Sequence, residues 1–260
     1  MAGGLKSSVI VGVSEGEREF IGTRQAAAVV KSLRDEYDFP IFLNADHTHS
    51  LHSAMEAADA GYDWIVFDAS NQPFEDNVRQ TKDAVEALKG IRPEILVECE
   101  IGKMGSRSEI HDSATTLRLT TPLEAKHFVA ETQIDTLAPA VGNMHGMLRT
   151  MVSERIRAIK ADARIFMTLH GASGTDDGDL RRAISAGITV VHINTELRLA
   201  WRRGFDTALA NEAHEIVPYK ILSQVIEPIK EVVRDRIALF GSGSESHKLR
   251  PEAFCAHTAH

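Results

Sequence analysis

The chain has 260 residues, of which 43% are hydrophobic and 25% charged, a composition that suits one sizeable globular domain. The net charge is −8 with Lys and Arg scattered along the chain, so nucleic acid is not expected as a partner. One of the two cysteines lies in an apolar segment and the other in the polar tail, so a disulfide framework is not expected. No apolar run approaches the ~20 residues of a membrane span, and the first residues lack the apolar core of a signal peptide. We therefore expect a cytoplasmic protein without membrane contact.

Apolar segments typical of buried strands alternate with helical segments along the chain. In chain order, strands are predicted at 7–14, 40–47, 64–70, 94–100, 136–142, 164–170 and 188–194. Helices are predicted at 23–38, 50–60, 73–89, from 121, from 195 and at 223–240. Gly61 and Gly90 are the expected stops of the second and third helices, and 103–119 is expected to be a loop.

This alternation predicts a parallel sheet covered by helices, and with so many units a (β/α) barrel of the TIM type. Seven strands are predicted where such a barrel has eight, and no strand–helix unit precedes residue 7. The prediction is therefore a (β/α)8 barrel domain over 1–243 that lacks its first unit, followed by a polar tail over 244–260.

Polar side chains follow most of the predicted strands. In a barrel the carboxyl ends of the strands share one face, where active sites lie. The residues that would meet there are Asp46, His47, Asp68, Ser70, Glu100, His145, His170 and Asn194.

Three of these residues, His47, His145 and His170, are imidazoles at three strand ends, which predicts one metal site. Asp46 precedes His47 directly and can carry protons. Because neighbours on a strand point to opposite faces, both can reach one site only where the strand bends at its end.

The ordered motifs resemble those of class II, metal-dependent fructose-bisphosphate and tagatose-bisphosphate aldolases. The matching stretches are GVSEG at 12–16, LNADH at 43–47, FDASNQPFEDNV at 67–78, VECEIG at 97–102, LAPAVGNMHG at 137–146, LHGASG at 169–174 and NTEL at 194–197. The resemblance implies reversible aldol cleavage of a ketose (bis)phosphate to dihydroxyacetone phosphate and an aldehyde. It also implies a catalytic Zn²⁺, a monovalent cation as a further candidate, and a homodimer or homotetramer.

Site roles follow from the resemblance position by position. His47, His145 and His170 match the zinc ligands, with Glu100 as a carboxylate at the metal, and Asp46 matches the acid/base. The residues matched or assigned to substrate binding are Gly146, Arg149, Gly171, Ser173, His192, Asn194 and Thr195.

Several positions depart from the family pattern. Asn is usual at the position of His192, which leaves three roles open for this imidazole: metal-site residue, phosphate contact or packed side chain. In the loop after Glu100 the usual acid is displaced, and Glu109 is the candidate to move the proton on dihydroxyacetone phosphate. These departures, with the missing unit, predict weak activity on fructose 1,6-bisphosphate or another preferred substrate.

The sequence is also compatible with two other functions. The first is a non-catalytic barrel that keeps the metal site and serves as a binding or regulatory subunit, and the second is a metal-dependent lyase or hydrolase on another substrate. A Schiff-base aldolase is not expected, because none of the seven predicted strand ends carries a Lys.

Overall fold

The computed structural model describes residues 7–102, 118–142 and 151–242. Four predicted site residues lie outside the described residues: Glu109, His145, Gly146 and Arg149. The predicted tail at 244–260 lies outside them as well.

The described residues form one parallel sheet of seven strands in sequence order. The strands are β1 Val9–Ser14, β2 Ile41–Thr48, β3 Trp64–Phe67, β4 Leu96–Ile101, β5 Thr136–Pro139, β6 Phe166–Leu169 and β7 Val190–Val191. Each strand pairs with the next one along the chain, so the sheet curls as a half-barrel. All seven predicted strands are present, and the predicted fold class is confirmed.

Helices connect successive strands and cover the outside of the sheet. They are α1 Glu15–Ile21, α2 Thr23–Tyr37, α3 Leu51–Ala60, α4 Phe74–Ile91, α5 Pro122–Thr132, α6 Met151–Ala163, α7 Asp177–Ala186, α8 Thr195–Asn211 and α9 Pro218–Phe240. Among the described residues, no helix is both long and apolar enough to cross a membrane.

Local signals explain the ends of some helices. The hydroxyl of Ser50 accepts a hydrogen bond from the Ser53 N–H at the start of α3, and Gly61 ends this helix with a φ of 97°. The predicted stop at Gly90 is wrong, because α4 continues through Ile91, whose side chain packs against the core. The helix ends at Arg92, immediately before Pro93, where the following ring disfavours the helical conformation.

Side chains alternate between the two faces of the sheet. The outward set packs under the helices and includes Leu43, Ile65, Val97, Leu137 and Met167, all at most 1% exposed. The inward set is more polar and surrounds the middle of the half-barrel. It includes Asn44, Trp64, Glu98, Thr136 and Thr168.

The two terminal strands of the described sheet, β1 and β7, do not pair with each other. A cavity of about 790 Å³ opens beside them and extends to the carboxyl ends of the strands. Its lining includes Ile10 and Gly12 of β1 and both residues of β7. The described part of the chain therefore has an open side where a closed barrel would have another strand.

Candidate active site

The strand β2 bends at its carboxyl end, at His47. This residue has a φ of 41°, and the pairing of β2 with β3 shifts register between Ala45 and Thr48. A positive φ outside glycine is uncommon and costs about 1–3 kcal/mol, so surrounding contacts must hold it. The bend allows the side chains of Asp46 and His47 to reach the same site, as the sequence required.

The buried guanidinium of Arg18 holds this bend from the side of α1. Its Nη1 donates to the carbonyl oxygens of Val13 and of Asp46, the latter at 3.2 Å, and its Nη2 donates to Thr48 Oγ1 at 2.9 Å. No sequence pattern points to Arg18, because only the fold brings α1 against the end of β2. A local signal marks only the start of α1, the helix that carries Arg18. There the Glu17 carboxylate accepts a hydrogen bond from the Ser14 N–H at 2.9 Å.

His47 is surrounded by carboxylates. Its Nδ1 lies 3.2 Å from Asp68 Oδ2 and 3.3 Å from Glu100 Oε1. Asp68 is oriented by Ser70, whose N–H and hydroxyl both donate to Asp68 Oδ1. Burial lowers the pKa of His47, but the hydrogen bond to Asp68 and the charges of Glu100 and Asp46 outweigh burial and raise this pKa to about 10. A cation bound here must therefore displace a proton.

His170, directly after β6, is held from below by Glu98. Its Nε2 lies 2.6 Å from Glu98 Oε1, while Glu98 Oε2 accepts from Thr168 Oγ1 at 2.7 Å and Trp64 Nε1 at 3.2 Å. Burial raises the pKa of Glu98, but the bonds from His170 and Thr168 lower it overall. Burial and the neighbouring His192 lower the pKa of His170. The pair is thus a carboxylate and a neutral imidazole, with the proton on Nε2 and the lone pair on Nδ1.

Glu100 lies between His47 and His170. Its Oε1 is 3.3 Å from His47 Nδ1 and 3.4 Å from His170 Nδ1, and the two rings are 4.9 Å apart. Burial, followed by the charge of Asp68, raises the pKa of Glu100 well above its usual range. These three side chains offer ligand atoms within 4.8 Å of one another.

Asp46 faces His192, which follows β7. The distance from Asp46 Oδ1 to His192 Nδ1 is 3.4 Å, and the His192 ring lies 4.1 Å from the His170 ring. Burial raises the pKa of Asp46, but His192, His47 and His170 outweigh burial and keep this carboxyl ionised at neutral pH. Asp46, His170 and His192 form a second group with ligand atoms within 4.8 Å.

The chemistry of these groups fits a divalent cation. Asp46 Oδ1 and Glu100 Oε1 are both buried, and neither has a donor in hydrogen-bonding geometry. A buried carboxylate oxygen without a partner is costly, and a cation would satisfy it. Imidazole nitrogen with carboxylate oxygen is the donor set that Zn²⁺ and similar transition metals accept.

The predicted substrate-binding residues of the described chain line the same cavity. They are Gly171, Ser173, His192, Asn194 and Thr195. Gly171 has a φ of 64°, and the Asn194 N–H lies 3.3 Å from Ser173 Oγ at the start of α8. The start of a helix is suited to an anion, but the roles of these residues stay predictions.

The sequence model of class II fructose-bisphosphate aldolases matches residues 1–245. The chain belongs to this family. The resemblance seen in the motifs is therefore confirmed, and the chain is an aldolase, a carbon–carbon lyase of a family that is generally metal-dependent.

Individual relatives agree with this assignment. A "Probable fructose-bisphosphate aldolase" of Bacillus subtilis (strain 168) is 32% identical over 249 residues, covering 93% of this chain and 86% of the relative. A fructose-bisphosphate aldolase of Staphylococcus aureus (strain Mu50) is 32% identical over 246 residues, covering 92% and 84%. The crystal structure of the YdjI aldolase from Escherichia coli K12 superposes with a TM-score of 0.78 at 29% identity, covering 94% of this chain and 86% of that one.

Proposed function

We propose that this aldolase cleaves a ketose (bis)phosphate reversibly to dihydroxyacetone phosphate and an aldehyde, with Zn²⁺ as its metal. The observation that carries the proposal is the group of His47, Glu100 and His170, which includes a buried carboxylate oxygen without a hydrogen-bond donor. Asp46 lies beside this group at the same cavity. A metal-binding group next to an ionised carboxylate is what metal-dependent aldol cleavage requires.

His47, Glu100 and His170 would hold the cation, together with His145 as the family pattern predicts. The bound Zn²⁺ would polarise the ketone and stabilise the negative charge that develops as the carbon–carbon bond breaks. Glu98 supports this arrangement by fixing the tautomer and the ring orientation of His170.

Asp46 is the proposed acid/base. In the cleavage direction its carboxylate accepts the proton of the hydroxyl group next to the bond, the hydroxyl carbon becomes the aldehyde, and the bonding electrons leave with the ketone fragment. The low pKa that the three imidazoles impose keeps Asp46 ready to accept this proton at neutral pH. Glu109 is the predicted group for the proton on dihydroxyacetone phosphate.

The phosphate would bind where β6 and β7 end. Backbone N–H groups after Gly171 and around Asn194 are suited to a dianion, as in the phosphate sites of other barrels. Gly146 and Arg149 remain predicted contacts from the family pattern. A monovalent cation, a homodimer or homotetramer, and a cytoplasmic location also remain predictions.

A barrel that keeps its metal site but has lost turnover is the second candidate, and the open side between β1 and β7 favours it. Exchange of the dihydroxyacetone phosphate proton with solvent, followed by NMR in D2O with Zn²⁺ present, separates the two. Exchange is expected for the aldolase, and its absence at saturating metal and substrate would support the non-catalytic barrel. His52→Ala, which changes an exposed side chain on α3, should exchange this proton as the unmodified chain does.

Fructose 1,6-bisphosphate is expected to be a poor substrate, because Glu109 replaces the usual loop acid at a displaced position and the cavity is open on one side. We expect a turnover number below about 1 s⁻¹, the lower limit of the usual range. A steady-state assay that couples triose phosphate formation to NADH oxidation measures it. A turnover number of ~1–10³ s⁻¹ would contradict this expectation.

A further inference from the structure

Two groups of metal-ligand side chains meet at His170. The first is the proposed catalytic group with His47 and Glu100, and the second consists of Asp46, His170 and His192. Each group contains one buried carboxylate oxygen without a donor, Glu100 Oε1 in the first and Asp46 Oδ1 in the second. The features that make the first group suitable for a cation are thus present in the second as well.

The backbone fixes the second group. The His192 N–H donates to the Leu169 carbonyl oxygen at 3.0 Å, which continues the pairing of β6 with β7 and places His192 beside His170. The two rings are 4.1 Å apart with an interplanar angle of 34°. On the other side of His192, the bend of β2 brings Asp46 Oδ1 to 3.4 Å from its Nδ1.

The buried carboxyl groups around these side chains also favour a cation. Four carboxylates, those of Asp46, Asp68, Glu98 and Glu100, surround three imidazoles, and each of these carboxylates is at most 13% exposed. A bound metal ion stabilises carboxylate oxygens that are buried this close together. A substrate phosphate placed against Asp46 would instead bring two negative charges together, which argues against His192 as a phosphate contact.

We propose that Asp46, His170 and His192 form a second position for a divalent transition-metal ion, so that His192 is a metal ligand of this chain. His170 belongs to both groups, and its Nε2 is directed to Glu98, so Nδ1 must serve both positions. One nitrogen lone pair binds one ion, and the two positions therefore exclude each other. An ion at the second position uses Asp46 as a ligand and removes it as a proton acceptor, which makes this a resting position.

The proposal goes beyond the aldol reaction and is tested by the location of the ion. Crystals of the full chain and of His192→Asn are grown without added metal, soaked in ZnCl2, and measured on both sides of the zinc absorption edge. The wild-type chain is expected to give an anomalous peak about 2.0–2.2 Å from ligand atoms of Asp46, His170 and His192. In His192→Asn this peak is expected to vanish, and the ion is expected near His47 and Glu100 instead.

A solution measurement keeps the test independent of crystals. In this measurement the apo-protein competes with a chromogenic chelator for Co²⁺. His192→Asn and His192→Gln are expected to bind Co²⁺ at least about tenfold more weakly than the wild type, which is the smallest loss of affinity usually seen when a supporting metal-site group is removed. Circular dichroism checks that both variants fold.

The outcomes separate this inference from the proposed function. An ion held by His47, Glu100 and His170 in both proteins, with equal Co²⁺ affinity, would overturn the second position alone. A folded wild-type chain that binds neither cation would overturn both proposals.

Discussion

Two regions of the half-barrel line the same cavity but differ in how tightly their side chains are packed. One is the wall from β2 to β6, and the other is the open side formed by β7 and β1. The wall has outward side chains that are almost fully buried under helices, such as Leu43 and Leu137. On the open side β7 has only two residues, and Val11 of β1 is 38% exposed. The wall is therefore the closely packed part and the open side the lightly packed part of one site.

The functional side chains follow this difference. His47, Glu100 and His170 stand at the ends of wall strands, whereas His192 and Asn194 stand at the end of β7. Groups that coordinate a metal need fixed positions, which a packed wall supplies. The proposed ligands His47, Glu100 and His170 therefore stand on the well-packed strands, whereas His192 and Asn194 stand on the lightly packed side.

The largest effect is expected at Asp46, which lies in β2 of the wall and faces His192 of the open side. Asp46→Ala removes the proposed acid/base and should slow cleavage by about 10²–10⁴-fold, the usual range for general acid–base catalysis. Its metal content should stay near that of the wild type, because His47, Glu100 and His170 remain. Steady-state kinetics and metal analysis of the same samples at saturating Zn²⁺ measure both, and complete loss of the bound metal would count against Asp46 as the acid/base.

The next effect concerns His170, the proposed metal ligand that the two groups share. His170→Ala removes this ligand and leaves Glu98 buried without its strongest partner, so metal affinity should fall by at least about 100-fold, the upper end seen for supporting groups. Chelator competition with Co²⁺ measures the change, with His52→Ala as the exposed control. An affinity within about threefold of the wild type would place the metal elsewhere in the chain.

Stability should also differ between the two regions. Leu137→Ala leaves a cavity in the wall and should lower the free energy of unfolding by about 2–5 kcal/mol. Val191→Ala on the open side removes a half-buried side chain and should cost less than about 1.5 kcal/mol. Urea unfolding followed by circular dichroism compares them, and equal losses would show that the open side is packed as tightly as the wall.

The smallest effect tests whether a second chain of the predicted homodimer or homotetramer covers the open side. Val11→Lys places a charge on the exposed edge strand and should weaken self-association by about tenfold, near the value of burying one Val. Leu123→Lys on α5, where Leu123 is 74% exposed, is the matched control on the wall side. Sedimentation over a concentration series measures association, and a wild-type chain that stays monomeric would refute the covering chain.

Local sequence signals were enough for the fold class and for part of the site. Strand periodicity, helix caps and the order of the motifs predicted the seven strands, the family and the strand ends at which His47, Glu100 and His170 lie. The adjacency of Asp46 and His47 even required a bend in β2, and the φ of His47 confirms it. These features depend on a few neighbouring residues, so the sequence carries them directly.

Other features depend on which elements the fold brings together. Nothing near Arg18 announces that its guanidinium reaches the end of β2, and nothing near Glu98 indicates that it orients His170. Gly90 read locally as a helix stop, but the packing of Ile91 against the core extended the helix. Local sequence signals cannot predict such contacts, because the contacting residues belong to elements that meet only in the folded core.

The sequence by itself determined which residues reach the strand ends, because strand and helix periods are local properties of the chain. Only the tertiary structure decided which of those residues touch. The bend of β2 and the pairing of β6 with β7 place Asp46 and His192 3.4 Å apart, although they are 146 positions apart in the chain (192 − 46). Sheet curvature and register set that distance, and both arise from the packing of the whole sheet under its helices.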